Sequence, residues 1–298
     1  MIGSRMTRTN SYKNGNILVA ICADGTKLRY TPDGVDSAPE FPESIDLKIT
    51  GYCEENCPMC HENAGKDGIH GNFNQPLLKT IQPYTELAIG GGNPLSHPGL
   101  YDFLQRMRDR KVICNLTVHW NQFVKEYEML RLWQEDGLLH GIGVSIGNQP
   151  VQTELLCGFP NLVVHTIAGI NDEDSYRVLA DNDLNLLILG YKDYGRGIHY
   201  YRQNTDVDGK IRWVADHVAS LSDHFRSVSF DNLAIKQLDL RSKLSAYFWD
   251  RFYMGGEGEF TMYVDLVENK FAASSTDKRM DICSDDIRDL FWIVNKTW

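Results

Sequence analysis

The chain has 298 residues, 42% apolar and 23% charged, which allows a sizeable core and argues against a disordered chain. Thirty Lys and Arg against forty Asp and Glu give a formal charge of -10, the wrong sign for a chain whose main partner is nucleic acid or an anionic membrane. The sequence has no apolar run of about 18 residues, so a transmembrane helix is not expected and a cytoplasmic protein is.

Near the N-terminus, Arg5, Arg8 and Lys13 precede a short apolar run, a weak likeness to a signal peptide. A β-hairpin is the better reading: NILVAICA and KLRYTP flank Asp24-Gly25-Thr26, and Asp-Gly favours tight turns. From residue 45 onward short apolar runs alternate with helical patterns. Strand-like runs fall at 45–50, 85–90, 112–118, 141–146, 162–168, 184–190 and 227–235. Between them, Leu100, Phe103, Leu104 and Met107 share one helical face. Phe123, Tyr127, Leu130 and Trp133 share another, and Ile211, Val214, Val218, Leu221 and Phe225 a third.

Strand then helix, repeated about six times, predicts parallel strands joined by crossovers, either a partial (β/α) barrel or an open doubly wound sheet. The apolar runs at 162–164 and 184–189 suit strands covered on both faces. Further on, 242–254 reads as a helix and 255–274 as a hairpin turning near Glu268-Asn269. A last helix is predicted to start at a Ser284 cap, with acidic residues in its first turn. The expected α/β layout is a hairpin extension at 1–44, a barrel at 45–235 and a small α/β cap at 236–298.

Seven cysteines are present, and Cys53, Cys57 and Cys60 lie within eight residues, directly after the first barrel strand. An odd number with three at short spacing suggests metal ligation more than disulfides. A zinc site would need a fourth ligand, and His61 and His70 are close in sequence. An iron–sulfur cluster with three protein ligands would instead leave one iron open to a small molecule. The loop leaves the C-terminal end of a strand, where parallel α/β folds place ligand sites. Cys22, Cys114 and Cys157 read as buried small hydrophobes.

CEENCPMC, with Met59 before the last cysteine, resembles the cluster-binding motif of the radical S-adenosylmethionine (radical SAM) enzymes. AIGGGNPLSHPGL, at the end of the second strand, is similar to the glycine-rich motif of that superfamily. GVSIGN resembles its strand-end serine, here Ser145, and LILGYKDYGRG the segment lining the adenosine side, with Tyr191 and Lys192. The resemblance covers roughly 45–235. It implies a partial (β/α)6 TIM-like barrel in which Cys53, Cys57 and Cys60 hold a [4Fe–4S] cluster that binds S-adenosylmethionine. One electron then cleaves that cofactor to a 5′-deoxyadenosyl radical, which takes a hydrogen atom from substrate.

Gly90, Gly91 and Gly92 would let backbone approach the methionine moiety. Asn93 stands where the family has glutamate and lacks its charge. NLTVHWNQ stands where Thr-Asn-Gly is common, so His119 or Asn121 would supply that polar contact. Lys192 and Arg196 would offer cations to a carboxylate or phosphate. The ending is similar to SPASM or twitch extensions, yet Cys283 alone is too little for an auxiliary cluster; it is a candidate hydrogen-atom donor. An external flavodoxin- or ferredoxin-like donor is then implied. The substrate would be a peptide or a small metabolite or nucleotide, and the first 44 residues are too few for a winged-helix peptide-recognition domain. A zinc-stapled binding protein without catalysis is the alternative from another class.

Overall fold

The computed structural model describes residues 8–22 and 26–296. Strands β1 (Arg8–Asn14), β2 (Ile17–Cys22) and β3 (Lys27–Tyr30) form a small antiparallel sheet of their own. The β2–β3 pairing is the hairpin expected from the sequence, although its Asp24-Gly25 turn lies outside the described residues. The sequence reading missed β1, which pairs with β2 across the two-residue turn Gly15-Asn16.

Seven parallel strands follow in chain order: β4 (Ser44–Thr50), β5 (Glu86–Gly91), β6 (Ile113–His119), β7 (Gly141–Ser145), β8 (Leu162–Ile167), β9 (Asn185–Leu189) and β10 (Ser227–Phe230). Between them run helices α1 (Leu100–Asp109), α2 (Trp120–Lys125), α3 (Tyr127–Glu135), α4 (Thr153–Cys157), α5 (Glu173–Leu179), α6 (Arg196–Gln203) and α7 (Val207–Ser222). The chain ends with α8 (Asn232–Gln237), α9 (Leu240–Lys243), α10 (Ala246–Phe252), strands β11 (Thr261–Asp265), β12 (Lys270–Ala272) and β13 (Met280–Asp281), and α11 (Ile287–Lys296). This is the expected mixed α/β architecture, a central parallel sheet flanked by helices and a separate antiparallel hairpin sheet.

The period of two decides what each strand face meets. On β4, Ile45, Leu47 and Ile49 join the main core with Phe103, Leu104 and Phe291, while Asp46, Lys48 and Thr50 face the other way. The same alternation on β6 buries Cys114, Leu116 and Val118 and leaves Asn115, Thr117 and His119 half-buried. On these two strands one face is thus apolar and packed in the main core, and the other is polar.

Four details differ from the sequence reading. The last expected strand stops at Phe230, because the Asp231 side chain accepts from the Ala234 amide and starts α8. The helix expected through Phe123 and Trp133 breaks at Glu126 into α2 and α3. Helix α11 begins at Ile287 rather than beside Ser284; Asp286 accepts from the Arg288 amide at 2.9 Å and takes the capping role. Cys157 is exposed, whereas Cys22 and Cys114 are buried as expected.

The C-terminal strands continue the barrel sheet. The strand order is β10-β9-β8-β7-β6-β5-β4-β11-β12-β13, with β11 parallel to β4 and β12 and β13 antiparallel beyond it. Phe271 of β12 and Leu290 of α11 are buried in the same core as the barrel strands. Among the described residues no helix is long and apolar enough to cross a membrane. Truncation of Phe271 to Ala is expected to cost about 3–5 kcal/mol. It should lower the midpoint of one cooperative unfolding transition, followed by near-ultraviolet circular dichroism; a separate early transition would mean that the C-terminal strands unfold on their own.

Candidate functional site

The loop after β4 is pinned at its neck. Thr50 bridges His70, Tyr52 bridges Gly65, and the amides of Gly51 and Cys53 donate to the carbonyls of Ile69 and Gly65 at 2.8 and 3.0 Å. Its tip carries Cys53, Cys57 and Cys60, all half-buried. The Cys60 amide donates to the Cys57 carbonyl at 3.2 Å, which curls the segment into a turn. Burial, and then the nearness of Cys60 and Cys53, push the Cys57 thiol up to about 11; burial likewise raises Cys53. The three thiols therefore share one electrostatic neighbourhood. Among the described residues, however, no three His, Cys, Asp or Glu side chains converge tightly enough to hold a single metal ion.

The glycine turn after β5 packs directly on this loop. Gly92 donates to the Thr50 carbonyl at 2.8 Å and Asn93 to the Tyr52 carbonyl at 2.6 Å. A side-chain carbon on Gly91 would overlap the Thr50 carbonyl, one on Gly92 the Tyr52 carbonyl, and Gly91 has φ of 117°. Both glycines are thus required by the fold. Gly90 differs: a carbon there would meet only Thr117, at 4.0 Å, so space remains beside it. Asn93 uses both ends of its amide, accepting from the Leu95 amide at 3.0 Å and donating to Glu54 at 2.7 Å.

At the end of β6, His119 caps α2 in a capping box with Gln122. Its Nδ1 lies 3.3 Å from Glu55, to which Asn121 donates at 2.7 Å. Burial lowers the His119 pKa against the pull of Glu55 and Glu54. Gln122 escaped the sequence reading, yet it is buried and its Nε2 donates to the Cys53 sulfur at 3.8 Å. The only sequence signal for it was its place three residues after the cap.

Ser145 stands between His119 and His165 in the strand register. Met59 packs against a small buried cluster of Ile170, Tyr191 and Val207. The Tyr191 hydroxyl donates to the Gly197 carbonyl at 2.6 Å, so that side chain is a packing element behind Met59. Lys192 donates to Ser275 at 2.9 Å. Arg196 turns onto the cysteine loop itself, its amide donating to the Cys60 carbonyl and its Nε to the Cys57 carbonyl, each at 3.0 Å. Cys283 is not brought to this place. It is exposed, in a surface groove with Gln75, Leu77, Asn269 and Asp285, none of which belongs to the cysteine loop or the glycine turn. The residue expected as a hydrogen-atom donor thus follows β13, the strand at the edge of the sheet three places from β4.

A buried ion network locks the loop to the C-terminal strands. Lys48 contacts Glu62 at 2.7 Å and Asp265 at 3.0 Å, and Arg279 contacts the same two carboxylates at 3.0 and 2.9 Å. The Tyr263 hydroxyl donates to Glu62 at 3.0 Å. Burial works to raise the Glu62 carboxyl, and the His61 hydrogen bond with the Lys48 charge more than reverses it. Glu62 follows Cys60 by two residues, so this network fixes the end of the cysteine turn. His61, at 3.4 Å from Glu62, and His70, at 2.8 Å from the Thr50 hydroxyl, are both engaged within the protein.

No family model and no curated protein matches this chain. Solved structures do. The crystal structure of Streptococcus suis SuiB bound to S-adenosylmethionine superposes with a TM-score of 0.56 at 11% identity, covering 87% of this chain and 68% of that one. SuiB bound to precursor peptide SuiA gives 0.54 at 11% identity, covering 85% of this chain. The present chain spans 65% of that SuiB chain. A third SuiB structure gives 0.52 at 12% identity. These likenesses show a shared fold.

Two outcomes follow. Lys48→Met leaves two buried carboxylates short of a cation and is expected to cost about 3–5 kcal/mol in chemical denaturation; a loss below about 1 kcal/mol would remove the network from the anchoring role. Burial, with the Lys192 charge adding to it, lowers the His165 pKa to about 4. The unfolded chain takes up that proton below about pH 6.5 while the folded one resists it, so stability falls as pH drops from about 6.5 to 4. His165→Gln should lose less stability across that window, by on the order of 1–3 kcal/mol; parallel pH profiles would refute this.

Proposed function

We propose that the protein is a radical SAM enzyme in which Cys53, Cys57 and Cys60 hold a [4Fe–4S] cluster and S-adenosylmethionine binds beside it. The observation that carries this reading is the placement of three half-buried cysteines on one loop, pinned at its neck, at the C-terminal end of the first barrel strand. The donor set fits: thiolates are what an iron–sulfur cluster takes, and thiols that share a neighbourhood without meeting at one point suit a group larger than one ion. When bound, the pair supplies one-electron cleavage of S-adenosylmethionine and hydrogen-atom abstraction from substrate.

The chain's own residues bind and orient. Gly90 leaves room at the second strand end, where Asn93 holds the Glu54 carboxylate and so brings a negative charge beside the amide that lacks one. His119, Asn121 and Ser145 line the neighbouring strand ends. Gln122 holds the Cys53 sulfur in place. The would-be fourth ligands of a zinc staple, His61 and His70, are turned to Glu62 and Thr50, which weighs against the non-catalytic alternative.

The substrate we favour is a peptide. A structural neighbour is described as bound to a precursor peptide. Of the two cations that a phosphate or carboxylate metabolite would use, Lys192 is bonded to Ser275 and Arg196 to the cysteine loop. A flavodoxin- or ferredoxin-like protein delivers the electron in this reading.

The test is anaerobic reconstitution with iron and sulfide, reduction with dithionite, addition of S-adenosylmethionine and chromatography for 5′-deoxyadenosine. Wild type should turn brown and form 5′-deoxyadenosine, and Cys57→Ala should form none. A colourless wild-type protein that carries about one zinc and cleaves nothing would sink the proposal.

A further inference from the structure

Arg196 lies in the run Asp193-Tyr194-Gly195-Arg196-Gly197, and the two glycines press its backbone against the loop. A side-chain carbon on Gly195 would stand 2.5 Å from the His61 carbonyl and 2.8 Å from the Asn63 side chain. On Gly197 it would overlap the Lys192 carbonyl and approach the Met59 carbonyl to 3.5 Å. Gly195 also has φ of 54°, which favours glycine. The segment is shaped to carry one side chain onto the turn between Cys57 and Cys60.

That side chain is half satisfied. Its Nε donates to the Cys57 carbonyl at 3.0 Å, but Nη2 is buried without a hydrogen-bond partner. No carboxylate among the described residues pairs with this guanidinium. A buried donor left unmade costs about 1–3 kcal/mol, and one on a cation costs more. Native proteins rarely leave such a group bare unless something else meets it. The position narrows what that is: the guanidinium is anchored through Nε to the Cys57 carbonyl, on a residue whose own amide holds the Cys60 carbonyl, so it sits beside the anion that those cysteines would carry.

We propose that Arg196 donates an Nη2 hydrogen bond to a sulfur of the bound iron–sulfur cluster, making it a positioning and tuning residue for that group. This inference rests on the cluster reading above. A cation and a donor at a cluster sulfur stabilise the more negative, reduced state, so the guanidinium raises the reduction potential. It acts on the cluster before S-adenosylmethionine arrives.

The experiment compares wild type, R196M and R196K after anaerobic reconstitution. Iron and sulfide content come first; a wild type that takes up no cluster ends the cluster reading itself, before any variant is compared. The midpoint potential of the cluster is then read by an EPR-monitored titration without S-adenosylmethionine. R196M should show a more negative midpoint than wild type, with R196K between them, because lysine keeps the charge and loses the planar fork. Pulsed EPR of the reduced wild-type cluster should show an exchangeable proton coupling, removed in deuterated water and altered in both variants. Wild-type midpoints and couplings in the variants overturn the proposal. So does an unchanged midpoint with weakened S-adenosylmethionine binding, which would assign the donor to the cofactor carboxylate. Should R196M not retain iron, R196K decides by the same two readouts, since the Arg196 amide contact to Cys60 survives any side-chain change.

Discussion

The buried pairing of Lys48 and Arg279 with Glu62 and Asp265 is the constraint on which the site depends. Two cations each meet both carboxylates, in a place where any one of them alone would be costly, and the more exposed Glu268 lies at the rim of the group. The four come from different parts of the chain: Lys48 from β4, Glu62 from the cysteine loop, Asp265 from β11 and Arg279 from the approach to β13. Their pairing ties the loop to both the first barrel strand and the C-terminal strands. A cysteine loop could be long and mobile in principle; here its neck is closed by backbone bonds and its far end by charge.

This explains why the last strands matter to a site they do not line. β11 pairs with β4 in parallel and places Tyr263 and Asp265 opposite Asp46 and Lys48. That register puts the Asp265 carboxylate beside the Lys48 ammonium, and the hairpin that follows carries Arg279 back over Glu62. The C-terminal segment thus works as a brace for the cysteine loop. The glycine turn supplies a second brace: Gly91 and Gly92 let β5 lie against the Thr50 and Tyr52 carbonyls. Arg196 supplies a third, from the far side of the barrel.

Much of the architecture was legible because it rests on local periodicity. Leu100, Phe103, Leu104 and Met107 are all buried on one face of α1, as their spacing requires. The seven barrel strands lie where apolar runs stand, since a strand covered by helices must be apolar on that face. What periodicity misjudged were boundaries set by single side chains. Asp231 ends β10 by capping α8, and Asp286 rather than Ser284 opens α11. Strand β1 was missed because TNSYKN is polar, and it is held by pairing with β2 rather than by an apolar pattern.

The sequence by itself determined the parallel α/β architecture, the three cysteines on the first strand's loop, and the glycine turn that meets them. Each is a local signal: a period, a spacing or a residue type with one backbone use. The tertiary structure alone decided which polar groups gather around that loop. Gln122 beside Cys53, Glu54 on Asn93, the four-charge brace and the Arg196 contact to Cys57 join residues from 14 to 217 positions apart. Such pairings carry no periodic trace, because charge and hydrogen bonding are settled by distance in space, and only the folded strand order brings these atoms together.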